Sequence, residues 1–275
     1  MKKIAILLST YNGEKFLEQQ IESLLVQSFQ NWDLFIRDDG STDSTLSIIE
    51  RFCTKYNNIH LFECSENIGA CESFLWLLKN TDAEYYMFCD QDDIWQPDKI
   101  SLSLNLMKET ELKHTVGLPI LIHTDLKVVD TNLKEISRSF WSYAKLKQRY
   151  LSDFNYLGVC NGVTGCTTLI NQNVKDIVFP INTKPPMHDY FIALKVAKYG
   201  KIVFLDTPTI LYRQHQKNEV GATNINVGYF FLRLKKIKET IRDQMEMHAF
   251  LKEFNYGSMF KFYYFKLRYT IIRNI

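Results

Sequence analysis

The chain has 275 residues, is 46% hydrophobic and 23% charged, and carries a net charge of +2; this excludes a disordered or fibrous protein and leaves a core that needs no staples. Its six cysteines (Cys53, Cys64, Cys71, Cys89, Cys160 and Cys166) form no Cys-x-x-Cys pair and sit mostly inside apolar runs, as free thiols in a reducing cytosol would. Too few apolar residues follow Met1-Lys2-Lys3 for a signal peptide, and no uncharged apolar run is long enough to span a bilayer, so a cytoplasmic protein not integral to a membrane is expected.

Lys3 to Leu8 reads as a buried strand ending in the turn Ser9-Thr10-Tyr11-Asn12-Gly13. Phe16, Leu17, Ile21, Leu24 and Leu25 recur at helical spacing, and Trp32 to Ile36 is a second strand ending at Arg37-Asp38-Asp39-Gly40-Ser41. Thr42 or Asp43 can cap the next helix, whose stripe is Leu46, Ile49 and Phe52. Ile59 to Phe62 gives a third strand, Phe74, Leu75 and Leu78 a third helix, and Tyr85 to Phe88 a fourth strand. After it come Asp90-Gln91-Asp92-Asp93, then a helix opened by Pro97 and carrying Ile100, Leu104 and Met107.

Further on, Pro119 to Ile122 reads as a strand leading to His123-Thr124-Asp125 and a hairpin through Val128-Val129. Residues 138–157 are aromatic and irregular, suited to covering a pocket or to packing under a long loop. Asn161 to Gly165 is a turn before the strand Cys166 to Ile170, and Pro185-Pro186 precede Met187-His188-Asp189, which opens a helix stopped at Gly200. Ile202 to Leu205 and Thr209 to Tyr212 read as two more strands, and Arg213-Gln214-His215-Gln216 ends the pattern.

Alternating strands and helices of these lengths imply an α/β fold: a doubly wound, mainly parallel sheet flanked by helices with right-handed crossovers. Ligands of such sheets bind beyond the carboxyl ends of the strands. Thr10-Tyr11-Asn12, Asp38-Asp39 and Asp90 to Asp93 each follow a strand, so they should line one rim. Three carboxylates in four positions repel one another, and a divalent cation among them relieves this. Their hard oxygens suit Mg²⁺ or Mn²⁺ shared with phosphate. An isolated cluster of this kind is otherwise a solvated acidic turn. Neither a Gly-x-Gly-x-x-Gly nor a Gly-x-x-x-x-Gly-Lys-Ser/Thr sequence is present, so a nucleotide would be held through metal and side chains.

Ser9-Thr10-Tyr11-Asn12-Gly13, Arg37-Asp38-Asp39-Gly40-Ser41-Thr42-Asp43 and Asp90-Gln91-Asp92-Asp93 together resemble, in order and spacing, family 2 glycosyltransferases of the GT-A fold over roughly residues 1–220. The resemblance implies that the first segment, with Thr10, Tyr11 and Asn12, and Asp39 hold the nucleotide base. It further implies Asp90 on the ribose, Asp92 on the metal, and an inverting transfer in which a base takes the acceptor proton. His188-Asp189 stands where the family carries its Glu-Asp or His-Asp pair, which makes Asp189 the expected base; an aspartate there is also a plausible helix cap. Likewise Asp39 can serve an Asx-turn.

By the same resemblance His215 completes the metal shell, and Arg213 pairs with diphosphate or, more simply, forms a surface ion pair. Asp93 and Trp95 are expected on the acceptor side, with Gly165 in a loop passing beneath donor and acceptor. Phe-Cys-Asp-Gln-Asp-Asp-Ile-Trp, Met-His-Asp-Tyr-Phe and Tyr-Arg-Gln-His resemble the bacterial rhamnosyltransferase branch, implying dTDP-L-rhamnose as donor, a glycan or lipid-linked saccharide as acceptor, and surface polysaccharide as product. Relatives using UDP-hexoses look similar. Metal-assisted phosphoester hydrolysis and a non-catalytic sugar-nucleotide-binding module are the rivals from other classes.

Two regions are expected: a catalytic domain over 1–227, with a nucleotide-binding half 1–118 and an acceptor-side half 119–227, and a helical tail over 228–275. Residues 229–275 hold ten Lys/Arg against four Asp/Glu, leaving residues 1–228 at −4. Ser258 to Ile275 contain no acid, four basic residues and six Phe/Tyr. Such a segment suits the anionic inner face of the plasma membrane, or else a helical pair packed on the catalytic domain or on the partner of a homodimer. Nucleic acid is not expected, because the basic residues are interleaved with apolar ones.

Overall fold

A computed structural model of the chain describes residues 3–62, 64, 66–215 and 237–275. The expected shift of composition near Gly228 and the start of the tail, with Gln216, lie outside the described residues.

The first strand, β1 (Ile4–Thr10), is buried along almost its whole length. Successive side chains of a strand point to opposite faces. Ile4, Ile6 and Leu8 accordingly enter one core while Ala5 and Leu7 enter another. A strand apolar on both faces needs helices on both sides. On the first side lie α1 (Leu17–Leu25), α2 (Thr45–Lys55) and α4 (Lys99–Lys113), contributing Leu17 and Ile21, Ile49 and Phe52, and Ile100 and Leu104. On the second lie α3 (Ala70–Asn80), α8 (Asn173–Val178) and α9 (His188–Tyr199).

β1 sits between β2 (Trp32–Asp38) and β4 (Tyr85–Cys89), parallel to both, and β3 (Ile59–Phe62) extends the sheet beyond β2. Beyond β4 come β8 (Thr168–Asn171), β6 (Ile120–Val129), β9 (Lys201–Arg213) and β5 (Ile94–Trp95), with β7 (Glu135–Ser137) paired to β6 as the expected hairpin. β8 runs against both β4 and β6, and β5 against β9, whereas β6 and β9 are parallel. The doubly wound, mainly parallel sheet is thus present with a reversed strand at its centre. One sheet crosses the expected division at 118/119.

Two details differ from expectation. β6 continues through His123-Thr124-Asp125, and β9 joins the two expected strands into one. Both hold because the polar residues are buried and paired: Thr124 Oγ1 and Thr209 Oγ1 are 2.6 Å apart, and Asp125 accepts from the Leu126 and Trp141 amides. The register of β6 on β9 shifts on either side of Asp125, opposite Pro208, which has no N–H for the ladder. The aromatic stretch 138–157 folds into three short helices, α5 (Phe140–Tyr143), α6 (Gln148–Leu151) and α7 (Phe154–Leu157).

The tail forms α10 (Ile237–Leu251) and α11 (Met259–Ile272). Leu251, Phe254, Tyr256 and Phe262 join the second core, and the Tyr256 hydroxyl donates to the Asn155 carbonyl at 2.5 Å. The helical pair is therefore packed on the α/β sheet-and-helix body through one of its sides.

Candidate active site

The register of β1 on β2 sets Thr10 opposite Asp38, and that on β4 sets Leu8 opposite Cys89, so the three loops leave the sheet at one level. They border a cleft of about 380 Å³ lined by Thr10, Tyr11, Asp39, Asp90, Asp92, Gly165, His188 and Asp189. Asn67, Gly69, Phe74, Gln91, Met187 and Tyr212 complete its wall.

Beside β1 and β2 the two acids of the second loop divide their work. Asp38 accepts from Thr10 Oγ1 at 2.8 Å and from the Ser41 amide and hydroxyl, which pins its own turn to β1. Asp39 accepts from the Arg37 guanidinium and from the amides of Ile68 (3.0 Å) and Gly69 (2.8 Å), fixing the approach to α3. Asn12, at φ +47, donates its backbone amide to the Ser41 hydroxyl oxygen and accepts from the Thr42 amide on its Oδ1, so it ties two loops together. Tyr11 leaves half its surface exposed above the cleft.

Gln91 was not among the expected site residues. Its Oε1 accepts from the Tyr11 amide at 2.9 Å and its Nε2 donates to the Tyr11 carbonyl at 3.0 Å, joining the acidic turn to the first loop. A Cβ on Gly13 would collide with that carboxamide. We expect Gln91→Ala to weaken nucleotide binding several-fold while leaving the fold intact, as calorimetric titration with nucleoside diphosphates would show.

The acidic turn separates into three environments. Burial, reinforced by the charge of Asp92, lifts the Asp90 carboxyl to about 7. Burial also lifts that of Asp92, opposed by His215, whose Nε2 lies 2.8 Å from Asp92 Oδ2. The His215 ring stacks on Phe16 at 5.2 Å. Asp93 is wholly buried, accepts from the Arg213 amide at 3.0 Å on Oδ1, and is pushed well above the usual carboxylate range by burial and then by Asp92 and Asp90.

Three expected positions are therefore corrected by location. Asp93 and Trp95 lie behind the cleft rather than on its acceptor side: both are buried, and Trp95 packs under the Lys99 ammonium at 4.4 Å. Arg213 spends its donors on the Asp92 and Thr131 carbonyls and Gln19 Oε1, with its guanidinium 4.4 Å from the Phe16 ring centroid. It braces the acidic turn from behind and does not line the cleft.

Two groupings offer ligand atoms for a cation. Asp90, Asp93 and Cys166 bring theirs within 4.8 Å of one another. There, however, burial pushes the Cys166 thiol and the Asp93 carboxyl well above their usual ranges, which disfavours the charged forms a cation needs, and a thiol is a poor partner for a hard ion. Asp92 with His215 is the better fit for Mn²⁺ or Mg²⁺: a carboxylate that lines the cleft and, 2.8 Å from its Oδ2, an imidazole nitrogen, spaced as neighbouring ligands of one ion would be.

Across the cleft, Asp189 occupies the first turn of α9 without capping it. Its Oδ1 accepts from the Tyr190 amide at 2.6 Å and its Oδ2 from the Gly165 amide at 3.1 Å. Burial lifts its carboxyl to about 6, against those two amides. His188 is buried against Phe74 and Phe88, at 4.2 and 5.0 Å, neither ring nitrogen has a hydrogen-bond partner among the described residues, and burial drops its pKa to about 3. It lines the cleft as a neutral imidazole.

Gly165 earns its place by proximity, because a Cβ there would stand 2.8 Å from His188 Nε2 and 3.4 Å from the Asp189 Cβ. Gly165→Ala should displace the start of α9 and lower kcat about tenfold or more, read by steady-state kinetics.

The raised carboxyls have a thermodynamic consequence. Asp189 and Asp90 titrate near 6 and 7 when folded and near 3.8 otherwise, so the folded state binds protons more tightly. Stability is then lost as pH rises from about 4 to about 7. Asp189→Asn should raise the free energy of unfolding at pH 8 by about 1–3 kcal/mol, read by denaturant titration, and the gain should vanish below about pH 4.

A family model described as Glycosyl transferase family 2 matches residues 5–174. The chain belongs to this family. The matched span carries the first, second and acidic loops, and Asp189 and His215 lie beyond it. Among curated relatives of this glycosyltransferase, the dTDP-rhamnosyl transferase RfbG of Shigella flexneri is 32% identical over 244 residues, covering 84% of this chain and 79% of that protein. The putative teichuronic acid biosynthesis glycosyltransferase TuaG of Bacillus subtilis is 32% identical over 106 residues, 38% of this chain and 42% of its own length.

Solved structures share the fold. TarS 1-349 of S. aureus in complex with UDP-GlcNAc aligns with a TM-score of 0.60 at 20% identity, covering 81% of this chain and 62% of that one. The mannosyltransferase PcManGT from Pyrobaculum calidifontis, in complex with GDP-Man and Mn²⁺, aligns with a TM-score of 0.55 at 15% identity, covering 90% and 64%. The chain spans less than two thirds of either solved chain. The expected GT-A-type architecture and the transferase class hold, and the phosphoesterase and non-catalytic readings give way. Among the described residues no helix is long and apolar enough to cross a membrane.

Proposed function

We propose that this glycosyltransferase moves L-rhamnose from dTDP-L-rhamnose to a hydroxyl of a glycan or lipid-linked saccharide, with inversion at the anomeric carbon and with Mn²⁺ or Mg²⁺ as cofactor. The observation that supports the mechanism is that Asp92 and Asp189 line one cleft of about 380 Å³, with His215 Nε2 2.8 Å from Asp92 Oδ2. The donor is supported by the name of the Shigella relative, which aligns over most of both chains.

In this reading Thr10, Tyr11, Asn12 and Asp39 shape the base pocket, the exposed Tyr11 ring serving as a stacking face. Asp90, on the cleft wall, can accept from a nucleoside hydroxyl. A divalent cation held by Asp92 and His215 would offset the charge of the departing diphosphate. Asp189 takes the proton of the acceptor hydroxyl, whose oxygen bonds to the anomeric carbon as the bond to the nucleotide diphosphate breaks on the opposite face. Two backbone amides hold the carboxylate in place, and the neutral His188 beside it adds no competing charge.

A panel of dTDP- and UDP-sugars, assayed for Mn²⁺-dependent donor hydrolysis, tests the donor. dTDP-L-rhamnose should be turned over fastest, and a clear preference for a UDP-hexose would overturn that part of the reading while leaving the transferase class in place.

A further inference from the structure

We propose that the outer face of α11, together with the cations of segment 145–149, docks on the surface of an anionic lipid bilayer. This goes beyond the reaction proposed above and does not depend on it. The helix is apolar on two sides. Phe262 and Tyr269 are buried on the inner side, and Phe265 meets Tyr156 edge-on at 5.1 Å. On the outer side Phe260 (82% exposed), Tyr263, Tyr264, Leu267 (64%) and Ile271 (53%) recur at helical spacing. Single exposed apolar side chains are ordinary, whereas a continuous stripe of five marks a surface that meets something.

Charge selects the occupant. From Ser258 to Ile275 every charged side chain is a cation: Arg268 stands beside the stripe, donating to the Tyr264 hydroxyl at 3.2 Å, and Lys261 precedes it on the helix, while Lys266 and Arg273 line the cavity on the inner side. Lys145, Lys147 and Arg149 are exposed on a segment tied to the same helix, where the Lys147 amide donates to the Tyr269 hydroxyl at 3.0 Å and Lys145 Nζ donates to Asn274 Oδ1 at 3.3 Å. Asp206 is the carboxylate lining the groove between them, and Asp243 of α10 borders the cavity on the inner side. Two copies meeting stripe to stripe would bring cations against cations, which opposes self-association. An anionic headgroup layer satisfies both the cations and the apolar stripe, with the helix lying in the interface plane rather than crossing it.

The placement has a use. The inner side of α11, through Phe262 and Lys266, lines a cavity of about 440 Å³ that also touches Met187, and Met187 lines the catalytic cleft. An acceptor held at the membrane surface would thus have the docking helix and the cleft close to one another.

Sedimentation of the full chain with phosphatidylcholine vesicles containing about one-third phosphatidylglycerol, and with pure phosphatidylcholine vesicles, tests this. Binding is expected to the anionic vesicles, to weaken as NaCl is raised, and to fall about tenfold or more in Phe260→Ser/Leu267→Ser and in Lys145→Ala/Lys147→Ala/Arg149→Ala. Donor hydrolysis in solution should be unchanged in both variants, which shows that they fold. Absence of binding to anionic vesicles, or equal binding to both kinds, overturns the proposal. So does a concentration-dependent dimer, detected by analytical ultracentrifugation, that the Phe260→Ser/Leu267→Ser variant abolishes while vesicle binding persists; the stripe would then be an interface between copies.

Discussion

Asp189→Asn is expected to abolish sugar transfer, lowering kcat by about 10²–10⁴-fold, while the dissociation constant for the donor nucleotide stays nearly unchanged. The asparagine keeps the size of the side chain and can still accept from one of the two amides, at Tyr190 or Gly165. What it removes is the lone pair that accepts the hydroxyl proton. The pH profile separates this from a merely structural loss. With the carboxyl near 6, the wild-type enzyme should lose activity as pH falls through that value, with log kcat approaching a slope of one below it and a plateau above. The residual rate of the variant should show no such step. Near wild-type transfer by Asp189→Asn would remove Asp189 from the role of base, and a step that persists in the variant would assign the titration to another group, Asp90 being the nearest in value.

The parts of this molecule that were legible in the sequence are those whose cause is local. β1 to β4 and the helices between them follow from apolar runs broken by polar turns. Because their carboxyl ends fall at one level of a parallel sheet, Thr10, Asp39 and the acidic turn could be placed on one rim before any coordinates. Asp189 and His215 also reach that cleft or its edge, although they come from far along the chain. What the sequence could not show depends on partners distant in it. Gln91 is a site residue because its carboxamide meets the backbone of Tyr11, 80 positions away, and no local pattern announces that.

The same holds for the misplaced residues. Asp93 and Asp92 are adjacent and chemically alike, yet one faces the cleft and the other the interior, where the Arg213 amide meets it. Arg213 looked like a phosphate ligand because a guanidinium near an acidic site usually is one, but three carbonyl-type oxygens absorb its donors. The tail was read as either membrane-seeking or packed on the domain. The burial of Phe262 puts one face of α11 on the domain and the exposure of Phe260 leaves another face open, a division that composition alone does not show.

Removal of the cation ligands should have the second largest effect. His215→Ala is expected to raise the Mn²⁺ concentration for half-maximal activity about 10–100-fold with a smaller loss of kcat at saturating metal, whereas Asp92→Asn should lose about 10²–10³-fold in kcat even there. The difference follows from geometry. Asp92 supplies the negative oxygen and stands on a turn braced by Arg213 from behind, through the hydrogen bond from Nε to the Asp92 carbonyl at 2.9 Å. His215 would supply an imidazole nitrogen from just beyond β9, steadied by Phe16. Without the imidazole, a water can complete the shell; without the carboxylate, the turn loses the cleft-lining oxygen that stands beside His215, and Asp93 cannot replace it because it is buried against the Arg213 amide. Removing Arg213's guanidinium with Arg213→Met should then resemble a weaker His215→Ala, shifting the metal requirement without touching the cleft. Titrating activity and nucleotide binding with Mn²⁺ in all three variants distinguishes these expectations. A metal requirement unaltered by both Asp92→Asn and His215→Ala would show that the ion, if the reaction uses one, is held elsewhere.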